Sequence, residues 1–590
     1  MPDGEPATIG DPHQSAVAAV GMLLHRKYSA TELKPGELSR FGNGVSNGWS
    51  LEVGETKLQV LLDGGFPYNP PIVALPDESK ILVWPHVEAG GKLCVMPPQT
   101  TTDALQATSV VEAYVSEAVA LIGRCERGEN IDDFKTEFLS YWELSLMAHA
   151  PLCRSVVAPN GPSRIIRVWR AVKNGVRIRT FADTDEELSQ WLEHSRVGKN
   201  AKIFQDAILL WCSQPLLPNE YPSNAADIAT MLRASGLEAD VLDKMNDSQS
   251  GLDVLIGAPS SNGTCFAVFE LPALDVKGAQ KGFRPGRVPP ERIAQFAQSA
   301  TRPGRRGSVT RADKAWIHGR DRDPAAVSLS EKLVTVVGCG ALGGSIARIL
   351  AQSGIGSFHL IDGQAFGREN SSRGALGARW AGWNKASALR EELVEMLPHM
   401  TGVSATPRDL TLSEHVVLAD MLKSDLIVSA TGEWASMSLI SDAHRGSTAL
   451  LQTAWLEPHA VAGHSVISNG TNACLRCGFS DVGDPKHPVT EWPDDDVWHQ
   501  SPMCGGIFSP YGAAELAIAS GILASSALNA LCDEPVKATH TIWRCDDQKL
   551  ETTGGIWNDE WASPEIMKCP PGASWTGEWP ISTGCPLCGA

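Results

Sequence analysis

The sequence predicts a multidomain chain of mixed class: an α+β domain in front, a second α+β domain in the middle, and an α/β domain with a parallel sheet behind. Three observations predict it. The chain has 590 residues, too many for one hydrophobic core. Its first 150 residues run helix, short strands, Pro-rich loop, helix. From residue 331 onward, β-branched strands alternate with helices, and a glycine-rich turn follows the first strand, the pattern of a sheet covered on both faces. These changes of pattern place the domains at 1–150, 151–310 and 311–590.

In the front domain, PHQSAVAAVGMLLHRK (12–27) has helical apolar spacing with Asp11 as its N-cap. GWSLEVGE and TKLQVLLD alternate as strands, and FPYNPPIVALP excludes a helix. From Ser109 to Leu144 the pattern is helical again, broken near Gly128. The middle segment, 151–280, mixes strands (RIIRVWRAV, GVRIRTF, CFAVFEL) with helices (DEELSQWLEH, AADIATMLRAS) and carries no chemical motif. Lys281–Arg322 is rich in Arg, Gly and Pro and reads as a solvated linker, the alternative being arginines that face a nucleotide's phosphates.

Composition narrows the function. A formal net charge of −18 argues against a chain that binds nucleic acid or acidic membranes directly. The longest apolar stretches are short and interrupted by glycine, unlike a membrane span. The opening MPDGEPATIGDPHQS lacks the basic flank and apolar core of a signal peptide. The expected compartment is therefore the cytoplasm, where the 14 cysteines are thiols, metal ligands or nucleophiles.

The back domain opens with the strand Val334–Val337, which runs into Gly338-Cys339-Gly340-Ala341-Leu342-Gly343-Gly344 and a helix. Gly338, Gly340 and Gly343 let the backbone turn and approach a phosphate at the helix N-terminus, and Asp362, ending the next strand, is placed for ribose hydroxyls. This much fits a dinucleotide oxidoreductase as well as an ATP-using enzyme. The following stretch, IDGQAFGRENSSRGALG…NK, resembles the signature of the ThiF / ubiquitin-activating family, with Asp362 followed by Asn370, Arg373 and Lys385. The resemblance implies a Rossmann-like adenylation domain that uses ATP and Mg²⁺. Arg373 and Lys385 would bear the charge of departing pyrophosphate, and Asp362 and Asn370 would hold ribose or phosphate oxygens. In LIVSATGEW, Gly432 stands where the family commonly has a magnesium-binding acid, leaving the adjacent Glu433 as the candidate.

Cys474-x-x-Cys477 and Cys585-x-x-Cys588 lie about a hundred residues apart. Four thiolates close a tetrahedral shell, which predicts a structural Zn²⁺. Between the pairs, SPMCGGIFSPYG places Cys504 in a Gly/Pro-rich loop before a helix. It resembles the family's Cys-x-x-Gly loop, which implies that Cys504 receives the acyl group.

In the front domain, FPYNPP followed by Trp84-Pro85-His86 and by Cys94, eight residues after the histidine, resembles the ubiquitin-conjugating fold. Cys94 is thereby implied as a thioester carrier, and His86 replaces the asparagine that steadies the oxyanion, serving as donor or base. The order of the two parts resembles the ubiquitin-activating/ubiquitin-conjugating-like fusions of bacterial CBASS systems. That resemblance implies antiphage defence, a homodimer, an acyl donor that is the C-terminus of a cGAS/DncV-like nucleotidyltransferase, and lysine-bearing targets. The rival reading is a ThiF/MoeB-type sulfur-carrier-activating enzyme whose front domain only binds.

Overall fold

The computed structural model describes residues 11–589 apart from 43, 96–102, 148–149, 198–202, 238–250, most of 273–302, 413–414, 494–496, 501–506, 534–536 and 560–568. The chain divides into two compact units: 1–154 with 159–179 and 206–310, and 155–158 with 180–205 and 311–590.

The front of the first unit is an antiparallel five-stranded sheet, its strands in sequence order from Thr31–Glu32 to Lys92–Leu93. Asp11 caps the helix Pro12–Tyr28 by accepting from the His13 N–H, as its side chain predicts. That helix and Ala107–Glu126 close one core with the sheet, in which Val20, Leu24, Leu58, Val60 and Val111 are fully buried.

The middle segment forms a closed barrel of seven strands, in the order Leu252–Ser260, Gly263–Leu271, Arg305–Arg311, Leu152–Ser155, Val176–Ala182, Arg164–Lys173 and Gln205–Trp211. Arg305–Arg311 corrects the reading of Lys281–Arg322 as a linker throughout. It pairs with Gly263–Leu271, and the Trp142 indole donates to the Gly307 carbonyl at 2.9 Å. Strand pairing outweighs a loop-like composition here, because a closed barrel leaves no edge unpaired. Nor does Arg311 face phosphate: its buried guanidinium is held by Asp313 and Asp321.

The second unit is built on an eight-stranded sheet in the order Gly402–Thr406, Ser357–Ile361, Leu333–Val337, Leu426–Ser429, Leu450–Leu456, Ala462–Ser468, Thr539–Arg544, Ser574–Glu578. The first five are parallel and the last three join antiparallel. Chain order reverses on either side of Leu333–Val337, so this is the switch point, where a crevice opens beyond the strand ends. Register makes those ends coincide: Val337 pairs with Ile361 on one side and Ser429 on the other. Two described helices are long and apolar enough to cross a membrane, Ala104–Glu126 and Ala513–Cys532. Both are core helices, packed on Pro12–Tyr28 and Ala341–Gln352 respectively.

Candidate functional site

The nucleotide loop is shaped by two different needs for glycine. Gly338 sits at φ +89, and a Cβ on Gly343 would lie 1.9 Å from the Gly338 carbonyl oxygen. Both are demanded by the chain itself. Gly340, the N-cap of helix Ala341–Gln352, is different, because a Cβ there meets no protein atom within 4 Å. The room it leaves lies at the helix N-terminus, where exposed N–H groups and the helix dipole favour a phosphate. Asp362 braces the loop, its two carboxylate oxygens accepting from the Cys339 and Gln364 N–H groups at 2.8 Å each. It still lines the cavity, so its expected contact with ribose is joined by a bracing role that the sequence did not reveal.

Three adjoining cavities meet at Gly340 and Thr431. The smallest, about 100 Å³, is lined by Gly338, Asp362, Lys385, Asp409 and Glu433 among others. The next, about 450 Å³, brings Asn370, Arg373 and Lys385 together beside Gly340. The four polar residues of the sequence signature therefore line two neighbouring cavities that share Gly340, Lys385 and Thr431. Lys385 Nζ donates to Gln364 Oε1 at 2.7 Å. The Arg373 guanidinium lies 4.4 Å over the Tyr511 ring, and its buried Nε has no partner among the described residues. A buried cationic donor left open is suited to an anionic ligand. Gly432 sits at φ +69, a conformation that explains glycine there; Glu433 and Asp409 are the acids at this cavity.

The third cavity, about 720 Å³, has an aromatic wall. Phe479 stacks on Trp434 with centroids 5.3 Å apart and meets Trp455 edge-on at 5.3 Å. Phe479 lies two residues after Cys477, and that cysteine belongs to the cluster Cys474, Cys477, Cys585 and Cys588, whose sulfur atoms all lie within 4.8 Å of one another. Cys474 and Cys585 are 3.5 Å apart. A tetrahedral zinc–thiolate shell has sulfur–sulfur edges of about 3.8 Å, so the donor set and spacing fit zinc. Cys504 lies outside the described residues; Trp498 and Ser509, described on either side of it, line the cavities beside Gly340.

In the front domain Cys94 is exposed, one residue past the last strand, and its N–H donates to the His86 carbonyl at 3.0 Å. The thiol is pushed up from its ordinary value, by partial burial first and then by the negative charges of Glu88 and Glu137. His86 stands next to it at φ +61. Its ring is bracketed by carboxylates, Nε2 facing Asp133 at 3.0 Å and Nδ1 facing Glu137 at 3.3 Å. The sequence reading had the imidazole free to act as donor or base; here Nε2 is engaged by Asp133, while the buried Nδ1 lies near Glu137 with no hydrogen bond among the described residues. The sequence reading missed Asp133, Glu137 and Tyr141. Their spacing of four residues was the available signal, since it repeats one helical face.

The class follows from these two sites: a ThiF-type nucleotide-binding domain with a four-cysteine cluster, and an E2-like domain that exposes a cysteine. Residues 322–555 match the ThiF family, and residues 27–149 match the prokaryotic E2 family B. Over most of its length the chain is similar to proteins named ATP-dependent ubiquitin transferase-like protein Cap2. The Vibrio cholerae protein is 23% identical over 522 residues, covering 81% of this chain and 85% of the relative. The Pseudomonas aeruginosa protein is 24% identical, covering 71% and 75%. A crystal structure of Escherichia coli MccB with ATP matches 45% of this chain and 68% of its own, at 18% identity and a TM-score of 0.30. The chain is thus a relative of the Cap2 proteins and an adenylating enzyme of that ubiquitin transferase-like kind.

Proposed function

We propose that the chain activates the C-terminal carboxylate of a partner protein with ATP, carries it as a thioester on Cys504 and then Cys94, and delivers it to a lysine of a target protein. The observation that carries this reading is the convergence of Asp362, Asn370, Arg373 and Lys385 around the space at Gly340. In the first step a carboxylate oxygen attacks the α-phosphorus, forming an acyl adenylate and releasing pyrophosphate. Arg373 and Lys385 bear the charge that develops on the leaving phosphates. The Cys504 thiolate then displaces AMP, and exchange passes the acyl group to Cys94. Each thioester keeps the acyl group reactive toward amines, so one hard acylation becomes several easier steps.

Mg²⁺ would be held by Glu433 and Asp409 beside the phosphates, adding positive charge there. Zn²⁺ in the four-thiolate shell would be structural, since such a shell has no open position. By resemblance to the CBASS fusions, the acyl donor is a cGAS/DncV-like nucleotidyltransferase, the setting is antiphage defence in the cytoplasm, and the enzyme works as a homodimer.

The test is intact-mass spectrometry after incubation with ATP, magnesium and the nucleotidyltransferase, with Cys94→Ala and Cys504→Ala run alongside. The relay requires a thiol-sensitive adduct that persists on Cys504 in Cys94→Ala and never forms in Cys504→Ala. Pyrophosphate release with no adduct on either cysteine would refute it.

A further inference from the structure

An acyl donor whose carboxylate reaches the α-phosphorus must lead the rest of its chain out through a space that adjoins the nucleotide loop. The third cavity is such a space. It shares Gly340 and Thr431 with both smaller cavities, and Ala341, Ser509 and Tyr511 with the one that holds Arg373. At about 720 Å³ it is larger than either, and it falls within the ~300–1,000 Å³ range of sites that enclose small ligands. Six aromatic residues line it: Trp434, Trp455, Phe479, Trp492, Trp498 and Tyr511. Among the described residues it has no lysine or arginine, and its acids are Glu457 and Asp484.

One buried carboxylate ties two of the walls together. Glu457 accepts from the Val489 and Thr490 N–H groups at 2.6 and 2.9 Å, which holds the stretch whose Pro488 and Thr490 face the cavity. Its Oε1 also lies 2.9 Å from His464 Nε2, and His464 Nδ1 lies 3.0 Å from His540 Nε2. Trp455 stacks on the His464 ring, with centroids 4.6 Å apart and planes within 5°. Both oxygens of Glu457 are therefore taken up within the protein, and they do not draw a cationic ligand into the cavity. What the cavity offers is aromatic surface already held in place, which a ligand meets without first ordering a wall.

We propose that this cavity is a specificity site for the acyl donor, and that it takes a bulky apolar side chain from one of the three residues before the donor's terminal residue. The number follows from reach. A space of 720 Å³ is about 9 Å across, and an extended chain covers ~3.3–3.6 Å per residue, so about three residues cross it. A tail of glycines would leave the aromatic wall facing water. A phenyl or large aliphatic group would cover that apolar surface, and a phenyl ring would also meet the ring faces and edges around it. The inference rests on adenylation of a C-terminal carboxylate and adds which C-termini are accepted; it involves neither Cys94 nor Cys504.

The test gives the full chain ATP, magnesium, hydroxylamine and one of four synthetic peptides. These are N-acetyl-Ala-Ala-Ala-Gly and the three variants with Phe in place of one alanine. The hydroxylamine nitrogen attacks the acyl adenylate, AMP leaves, and pyrophosphate release reports each turnover. At least one Phe peptide is expected to exceed the alanine peptide in kcat/KM by about tenfold or more, the scale on which an apolar pocket tells side chains apart. Trp498→Ala, at a wall residue that is 57% exposed, should bring that advantage below about threefold. Partial misfolding of the variant leaves the ratio untouched, because both peptides meet the same active fraction. A Phe advantage below about threefold in the wild type would overturn the inference and leave adenylation standing, as would an advantage that Trp498→Ala does not move. Pyrophosphate release with the intact nucleotidyltransferase but with none of the peptides would overturn it too, since the cavity would then read no tail. No release from peptides or protein alike would remove the adenylation of a C-terminus, and this inference with it.

Discussion

Gly478 follows Cys477 and lies against Trp579: a Cβ there would fall 2.0 Å from Cη2, 2.1 Å from Cζ2 and 2.9 Å from Cζ3 of the indole. Trp579 is 3% exposed, and its Nε1 donates to the Cys474 carbonyl at 3.0 Å. Gly478→Ala must therefore move either the indole or the peptide that carries two of the four thiols. Overpacking of this kind costs about 1–3 kcal/mol, and breaking the buried hydrogen bond costs about 1–3 kcal/mol more. The sum, about 2–6 kcal/mol, is a large share of the ~5–15 kcal/mol by which folded proteins are stable. Trp579→Phe removes the clashing atoms, because they belong to the outer ring of the indole, but leaves the Cys474 carbonyl without its donor. The double variant should thus be less impaired than the two singles added together, with a coupling of about 1–2 kcal/mol. With two units, a global melt mixes transitions. The sharper assay is the rate at which a chelator strips zinc from each variant, read with a colorimetric indicator. Gly478→Ala that holds its metal as long as wild type, or a strictly additive double variant, would refute the reasoning.

Three further outcomes follow. Arg373→Ala should slow ATP–pyrophosphate exchange by about 10–150-fold, the equivalent of one charge-assisted hydrogen bond of about 1.5–3 kcal/mol; an unchanged rate would remove Arg373 from the phosphate site. Gly343→Ala and Gly340→Ala should part company, because the first meets the Gly338 oxygen at 1.9 Å and the second meets nothing. Gly343→Ala should lower the melting temperature without nucleotide, whereas Gly340→Ala should melt like wild type and bind ATP at least about tenfold more weakly, by titration calorimetry. The His399 imidazole is pushed down to about 4 by burial, then by the positive charges of His318 and Lys314. Above about pH 6.5 both folded and unfolded states hold it neutral; between there and about 4 only the unfolded chain takes up the proton. Stability should therefore fall by about 3 kcal/mol as pH drops through that window. His399→Gln should flatten the decline in melting temperature, and an unchanged slope would contradict the assignment.

What the sequence made legible was local. Asp11 as a cap, the alternating strands around Gly54 and the loop from Gly338 to Gly344 were readable because each is decided by a handful of neighbouring residues. The two CxxC pairs were readable as one cluster because thiolate chemistry joins them whatever the chain does between. The barrel was not readable. Its strand Gln205–Trp211 pairs in parallel with Leu252–Ser260, and closure through Arg305–Arg311 depends on partners far along the chain. The bracket on His86 was missed for a related reason. Asp133 and Glu137 look like any solvated acids until the fold turns their face toward residue 86.

A zinc ion held by all four thiolates, as proposed, would have no open position for a substrate, so any effect of it on activity would have to travel through the protein. The structure supplies the route. Phe479, two residues past Cys477, stacks on Trp434 at 5.3 Å and 14°. Trp434 opens the helix that directly follows Thr431, Gly432 and Glu433, the turn beside the nucleotide loop. Packed aromatic rings transmit displacement because an interior has little free volume to absorb it. Losing the metal should therefore loosen Phe479 and then the Thr431–Glu433 turn. The consequence is specific: chelation should weaken ATP binding by the second unit, while loading of Cys94 by a small thioester stays as fast as before. Equal loss of both functions would mean that the chain had unfolded and that the aromatic wall transmits nothing of its own.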